Sequence, residues 1–292
     1  MKTGVSSYSW SRYMREGKLD IFGVIQATAE MGFDGIEFSG LNQPEGTTDL
    51  IAFAAKIKDA CAGVGLPIMS YTIGADFLNP REGGSDWKDE VERLKGEVQI
   101  AAALGAPRMR HDASRGPGPG RVWLSDFIEV LPILEKACRA VTEYAADKGV
   151  KTMVENHGHF VQDSDRCEAL MKAVNHPNFG ALVDVGNFVC ADDDPVRAVT
   201  RMAPYAFHVH VKDFHRKPGS ADPGTGWGTS RGGNRHRGAI VGHGNVDVPA
   251  CLDALKAAGY DGFISIEFEG MEDNRLALEI GLENLRRYAE NA

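Results

Sequence analysis

Strand-like and helix-like patterns alternate along this chain eight times, which restricts its fold more than any other feature. Short apolar runs predict strands near residues 3–8, 35–39, 67–72, 107–111, 153–155, 181–184, 207–210 and 264–267. Amphipathic stretches predict helices near 19–31, 48–64, 87–104, 124–148, 165–174, 195–202, 248–258 and 274–289. Gly32, Gly65, Gly105 and Gly149 follow four of these helices, the usual place for a glycine stop. Strands alternating with helices indicate a parallel sheet. Eight such units suit a closed (β/α)8, or TIM, barrel, with residues 1–292 forming one domain. A doubly wound sheet is disfavoured, because the only fingerprint-like glycine stretch, 224–228, neither follows a strand closely nor opens a helix.

Composition narrows the function classes. A formal net charge of −9 argues against a nucleic-acid partner, which requires a basic face. The five cysteines form no CxxC pair and are widely spaced, which fits a reducing cytoplasm. No secretion signal is evident at residues 1–5, and no run reaches the roughly 20 apolar residues of a membrane helix. The expectation is a cytoplasmic protein without a membrane partner.

The four later strands end on residues able to bind a metal: Glu155, Asp184, His210 and Glu267. A charged group at the end of a buried strand is costly unless compensated. Neighbouring barrel strands are about 4.8 Å apart, so groups at similar height could converge on one ion. Three carboxylates and an imidazole suit one divalent cation, Mn²⁺ or Mg²⁺ first, with Co²⁺ and Zn²⁺ as alternatives. Taken singly, each residue reads more simply as a cap, an ion-pair partner or a hydrogen-bonded core group. Convergence is what favours a site.

These segments also resemble a known family. Val154-Glu155-Asn156-His157, Val183-Asp184-Val185-Gly186-Asn187, His208-Val209-His210-Val211-Lys212-Asp213 and Gly242-His243-Gly244-Asn245-Val246-Asp247 carry the resemblance, together with Gly259-Tyr260-Asp261-Gly262 leading to Ile266-Glu267. Their order resembles the xylose-isomerase-like TIM-barrel superfamily of sugar isomerases and epimerases. The resemblance implies that Glu155, Asp184, His210 and Glu267 bind the metal, and that Glu155 and Glu267 form the acid/base pair. Asn187 stands where many relatives carry His, so no imidazole role transfers there.

Further candidates surround this set. His157 follows Glu155 by two and would share its inward face if the strand continued, as a catalytic group or a partner to a ligand. His111 ends the fourth strand and is a candidate acid; Arg110 beside it could hold an anion or pair with Asp112. Lys212 has the inward parity of His210 and therefore needs a carboxylate partner or a role. Glu37 reads as a hydrogen-bond partner inside the barrel, and Asp213 as a cap or ion-pair group. Trp10 and Phe77 could stack on a sugar or lie in the core. Two long loops, 112–123 and 215–247, fall on the face where barrel sites form, and the second reads as a substrate lid.

The leading expectation is a divalent-metal-dependent sugar isomerase or epimerase acting by proton abstraction beside a polarised carbonyl. The alternative is a lyase that cleaves oxidised (3-keto) O- or C-glycosides by β-elimination. Relatives of that kind use a barrel subunit with a small partner subunit. In either case the partner is a small sugar or sugar derivative, and the resemblance leaves a homo-oligomer open. A repair endonuclease would need more ligands and a basic face.

Overall fold

The computed structural model describes residues 1–80, 84, 86–118, 121 and 123–292. Eight parallel strands close into a barrel. In chain order they include β1 (Lys2–Ser6), β2 (Gly35–Ser39), β3 (Ile68–Thr72), β4 (Arg108–His111), β5 (Lys151–Glu155), β6 (Phe179–Asp184) and β7 (Ala206–Val211). Three strands of a separate sheet follow, β8 (Asp213–Lys217), β9 (Gly228–Thr229) and β10 (Arg235–Ala239), before the last barrel strand, β11 (Phe263–Ile266). Going round the barrel the order is β1-β11-β7-β6-β5-β4-β3-β2. The fold is the expected (β/α)8 TIM barrel.

Nine α-helices occur among the described residues: α1 (Ser11–Arg15), α2 (Ile21–Glu30), α3 (Leu50–Gly63), α4 (Trp87–Leu104), α5 (Leu124–Ala146), α6 (Ser164–Val174), α7 (Pro195–Met202), α8 (Val248–Ala257) and α9 (Asn274–Asn291). Aspartate starts most of them. The carboxylates of Asp20, Asp49, Asp163, Asp194, Asp247 and Asp273 each accept the backbone N–H three residues on. Each such cap contributes about 1 kcal/mol and fixes where the chain turns from loop to helix. The buried residues of the strands and helices form one apolar cluster, which includes Val5, Ile36, Leu134, Val183, Val209, Leu252 and Leu285. Gly4 and Gly35 are small for a reason: a Cβ at either would lie within 2.4 and 2.8 Å of the Met69 side chain.

Two features differ from the sequence reading. The first strand stops at Ser6, where its hydroxyl accepts Tyr8 N–H (3.3 Å) and starts a 3-10 turn leading into α1. Trp10 and Phe77 are buried in the core, one of the two places the sequence left open for them. The long segment after β7 is a three-stranded antiparallel sheet of order β8-β10-β9. Of the glycine-proline loop before α5, residues 119, 120 and 122 lie outside the described residues.

No helix among the described residues is long and apolar enough to cross a membrane. All five cysteines are buried and free.

Candidate functional site

Parallel register sets the site. Glu155 is level with Leu182, Asp184 with His210, and Ser265 with His210, so the C-terminal ends of β5, β6, β7 and β11 stand side by side. Glu155, Asp184, His210 and Glu267 each offer a ligand atom, and these atoms all lie within 4.8 Å of one another. From His210 Nδ1 the distances are 3.6 Å to Glu155 Oε1, 3.9 Å to Asp184 Oδ2 and 3.4 Å to Glu267 Oε2. All four residues are buried.

Each side chain is aimed by its neighbours. Asp184 Oδ1 accepts the backbone N–H groups of Gly186 (2.8 Å) and Asn187 (3.0 Å), which leaves Oδ2 turned to the cluster. Asn156 exchanges two hydrogen bonds with the Asp184 backbone, at 2.8 and 2.9 Å, and so ties the end of β5 to β6. Asn187 Nδ2 donates to Glu155 Oε1 (2.9 Å), and Gln162 holds Asn187 by its carbonyl (2.8 Å). His210 Nε2 meets Glu37 Oε1 at 2.6 Å, so Nδ1 is the nitrogen that faces the carboxylates. Asp184 Oδ2 and His210 Nδ1 are buried without a hydrogen-bond partner. A cation among them would satisfy both, and the donor set of oxygens with one imidazole suits a divalent ion.

Two cations border the cluster, the buried Lys212 and the largely buried Arg110. Lys212 Nζ lies 2.7 Å from Glu267, 3.4 Å from Asp184 and 3.3 Å from Asn187 Oδ1. The Arg110 guanidinium pairs with Glu155 Oε2 and, at 3.3 Å, with Asp112. These charges set the protonation states. Burial pushes all three carboxyls of the cluster upward. Arg110 and His210 more than reverse this at Glu155, which stays well below the usual range. Lys212 and His210 hold Glu267 down to about 2. Asp184 is pushed up to about 7, burial outweighing Lys212.

The histidines expected from the sequence take different places. β5 ends at Glu155, and the chain turns through Gly158 and His159, both at positive φ. His157 therefore leaves the strand and meets Asp112 instead, with Nδ1 3.0 Å from Oδ1 and its side chain about a third exposed (37%). Burial lowers its affinity for a proton, but Asp112 raises it further, so the ring is held above its usual range. His111 does not join the cluster. It is fully buried one residue on from Arg110, and side chains alternate along a strand. Its Nδ1 is 2.9 Å from the Asp112 carbonyl and its ring meets Phe77 edge-on. Burial lowers its pKa to about 4. The residue of β4 that reaches Glu155 is Arg110.

The segment after β7 is anchored rather than loose. Asp213 Oδ2 accepts N–H from Gly242 and Gly244, and Oδ1 from Val246, which pins the start of the sheet to its return. Arg231 pairs with Asp163 (2.6 Å), and Asp192 accepts from Ser230, Gly232 and Asn234. The sequence left Glu269 unremarked. It lies 3.8 Å from Lys212 and is about a third exposed (31%), which places it beside the cluster toward solvent.

Comparison with known proteins agrees with this architecture. A model of the xylose isomerase-like TIM barrel matches residues 25–288. The chain is 28% identical over 159 residues to the C-glycoside deglycosidase alpha subunit of Arthrobacter globiformis, covering 53% of this chain and 39% of that one. It is 25% identical over 126 residues to the inosose dehydratase of Lacticaseibacillus casei, covering 43% and 42%. These matches span about two fifths of the length of either relative. With the L-ribulose 3-epimerase of Mesorhizobium japonicum, identity is 27% over 279 residues, covering 91% and 80%. Among solved structures, the 3-keto-D-glucoside 4-epimerase of E. coli shares the fold, with a TM-score of 0.71, 18% identity and coverage of 98% and 99%. The chain belongs to the xylose isomerase-like TIM-barrel family.

Proposed function

We propose that this chain is a divalent-metal-dependent sugar isomerase or epimerase, with Glu155, Asp184, His210 and Glu267 as the metal ligands. The observation that carries this reading is the convergence of four strand-end groups around two buried atoms, Asp184 Oδ2 and His210 Nδ1, that lack hydrogen-bond partners. Mn²⁺ is the ion we assign, on the donor set. The related epimerases and the deglycosidase subunit support a sugar or sugar-derivative substrate. We take residues 1–292 as one catalytic domain acting in the cytoplasm.

When bound, the cation would polarise a substrate carbonyl and the adjacent hydroxyl, acidifying the C–H beside them. The protein supplies the proton carriers. Glu155 enters from β5 and Glu267 from β11, strands separated in the barrel by β6 and β7. Carboxylates approaching from two directions can take a proton from one face of a carbon and return one to the other. Arg110 keeps Glu155 ionised and Lys212 keeps Glu267 ionised, so both are competent to accept.

A second reading, β-elimination from a 3-keto O- or C-glycoside, is favoured by one feature. The Asp112–His157 pair lies at the end of β4 with a partly exposed imidazole, suited to protonate a departing group. A small partner subunit would belong to that reading. The deglycosidase relative is itself an alpha subunit, and the dehydratase is consistent with elimination chemistry.

Incubating ketoses and 3-keto glycosides with the Mn²⁺-loaded protein in D₂O separates the readings. Epimerisation gives a product sugar of the same composition that carries one deuterium. Elimination releases an aglycone or water. Loss of both activities in Glu155→Gln and Glu267→Gln is expected. Full activity in both variants would contradict the acid/base assignment.

A further inference from the structure

Below the four-residue cluster the barrel holds a second buried polar unit. Glu37 receives one imidazole on each oxygen: His210 Nε2 on Oε1 (2.6 Å) and His208 Nε2 on Oε2 (2.8 Å). All three side chains have zero exposure. A carboxylate only accepts hydrogen bonds, so each ring carries its proton on Nε2. For His210 this turns Nδ1 toward Glu155, Asp184 and Glu267, where a bound cation would take the Nδ1 lone pair in place of a proton. For His208 it leaves Nδ1 buried and without a partner.

We propose that Glu37 is a positioning residue that fixes His210 in the metal-binding tautomer, and that His208 holds Glu37 in place. This rests on reading the cluster as a cation site. The asymmetry between the two rings gives the proposal its content. In Glu37→Gln the carboxylate becomes an amide with one acceptor and one donor end. A metal-bound His210 keeps its proton on Nε2 and takes the acceptor. The NH₂ end then faces His208, which must present a bare Nε2 and carry its proton on Nδ1, buried where nothing accepts it. The opposite arrangement satisfies His208 but puts a proton on His210 Nδ1, where the metal must bind. Either arrangement opposes metal binding while leaving side-chain volume unchanged.

The test is Mn²⁺ affinity by calorimetry, with no substrate present. Glu37→Gln is expected to bind Mn²⁺ about 10–100-fold more weakly than the unsubstituted protein, the usual cost of losing such a partner. His208→Gln in the Glu37→Gln background supplies an amide oxygen for the unmatched NH₂ and is expected to recover most of that loss. A purely volumetric role predicts no loss in the first variant and no recovery in the second. The unsubstituted protein gives an independent reading. With Mg²⁺ bound, ¹⁵N spectra of labelled histidine should show His208 and His210 both protonated on Nε2. Unchanged affinity in Glu37→Gln, or a proton on Nδ1 of His208, overturns the inference while the cation site stands. If the unsubstituted protein binds no Mn²⁺ while Asp184→Asn behaves identically to it, the functional reading itself falls, and this inference with it.

Discussion

Lys212 Nζ lies 2.7 Å from Glu267 Oε2, and both are buried in a site that also holds Asp184 and Glu155. A lone ammonium there would be costly, as would the carboxylates without it. Lys212 is held well above its usual range because, although burial lowers it, Glu267, Glu269, Asp184 and Glu155 together outweigh that cost. The lysine thus balances part of the negative charge of the cluster and stays at its rim, since its amine also reaches Asn187 Oδ1 at 3.3 Å.

Replacing it should expose that balance. Lys212→Met removes one partner of a buried ion pair, a change that costs about 3–5 kcal/mol. The metal-free variant should therefore melt well below the unsubstituted protein. Added Mn²⁺ should recover more of the melting temperature in the variant than in the unsubstituted protein, because the ion then supplies the missing positive charge. Scanning calorimetry with and without Mn²⁺ checks both parts. Equal melting temperatures without metal would show that the lysine carries no such burden.

The anchoring of the β8–β10 sheet by Asp213 makes a separate claim. A Cβ at Gly244 would lie 2.1 Å from Asp213 Oδ1, and the Asp213 carboxylate binds three backbone N–H groups of the returning segment. Gly244→Ala must push this carboxylate off its partners. The expected loss is about 2 kcal/mol or more, from hydrogen bonds to a charged group that are left unmade. Faster amide exchange over residues 235–246, with the barrel strands unchanged, is the accompanying signature. Wild-type exchange across that segment would refute the anchoring role of Asp213.

Asp193 contributes one part of the pH dependence of stability. Its carboxylate accepts the backbone N–H (2.9 Å) and hydroxyl (2.7 Å) of Ser164 and pairs with Arg197. Burial raises its pKa, but these partners more than offset that and hold it below its ordinary value. A depressed carboxyl contributes stability that is complete above the unfolded pKa of about 3.9 and disappears as pH falls through the lower folded value. Asp193→Asn should therefore destabilise the protein at pH 7 by about 1–3 kcal/mol. The gap between variant and parent should close below about pH 4. A gap that stays constant from pH 7 to pH 3 in denaturant titrations would contradict the assignment.

Much of the site could be read before the fold was known, for a definite reason. Glu155, Asp184, His210 and Glu267 each interrupt an apolar run at its end, and a closed barrel places such ends side by side. Lys212 shares the parity of His210, so alternation alone placed it on its face. His111 was expected at the site and lies outside it, because a one-residue step along β4 turns a side chain from the inner face to the outer. The residue that reaches Glu155 is therefore its neighbour Arg110. His157 misled for a related reason: the strand stops two residues before it, at a turn that only backbone geometry reveals. The β8-β10-β9 sheet left little trace, since strands such as Asp213–Lys217 are largely polar and carry no apolar alternation. The supports of the site were also hidden. Asn156 and Glu269 act through backbone contacts or at the rim, which no spacing rule singles out.

The central claim is that four strand-end side chains jointly hold one divalent ion. Calorimetric titration of metal-stripped protein with Mn²⁺, in parallel with Asp184→Asn, tests it most directly. The account requires one ion per chain with micromolar or tighter affinity in the parent, and a loss of at least about 100-fold in the variant, whose carboxamide cannot supply the anionic oxygen. Absence of stoichiometric binding, or equal binding by the two proteins, would contradict it.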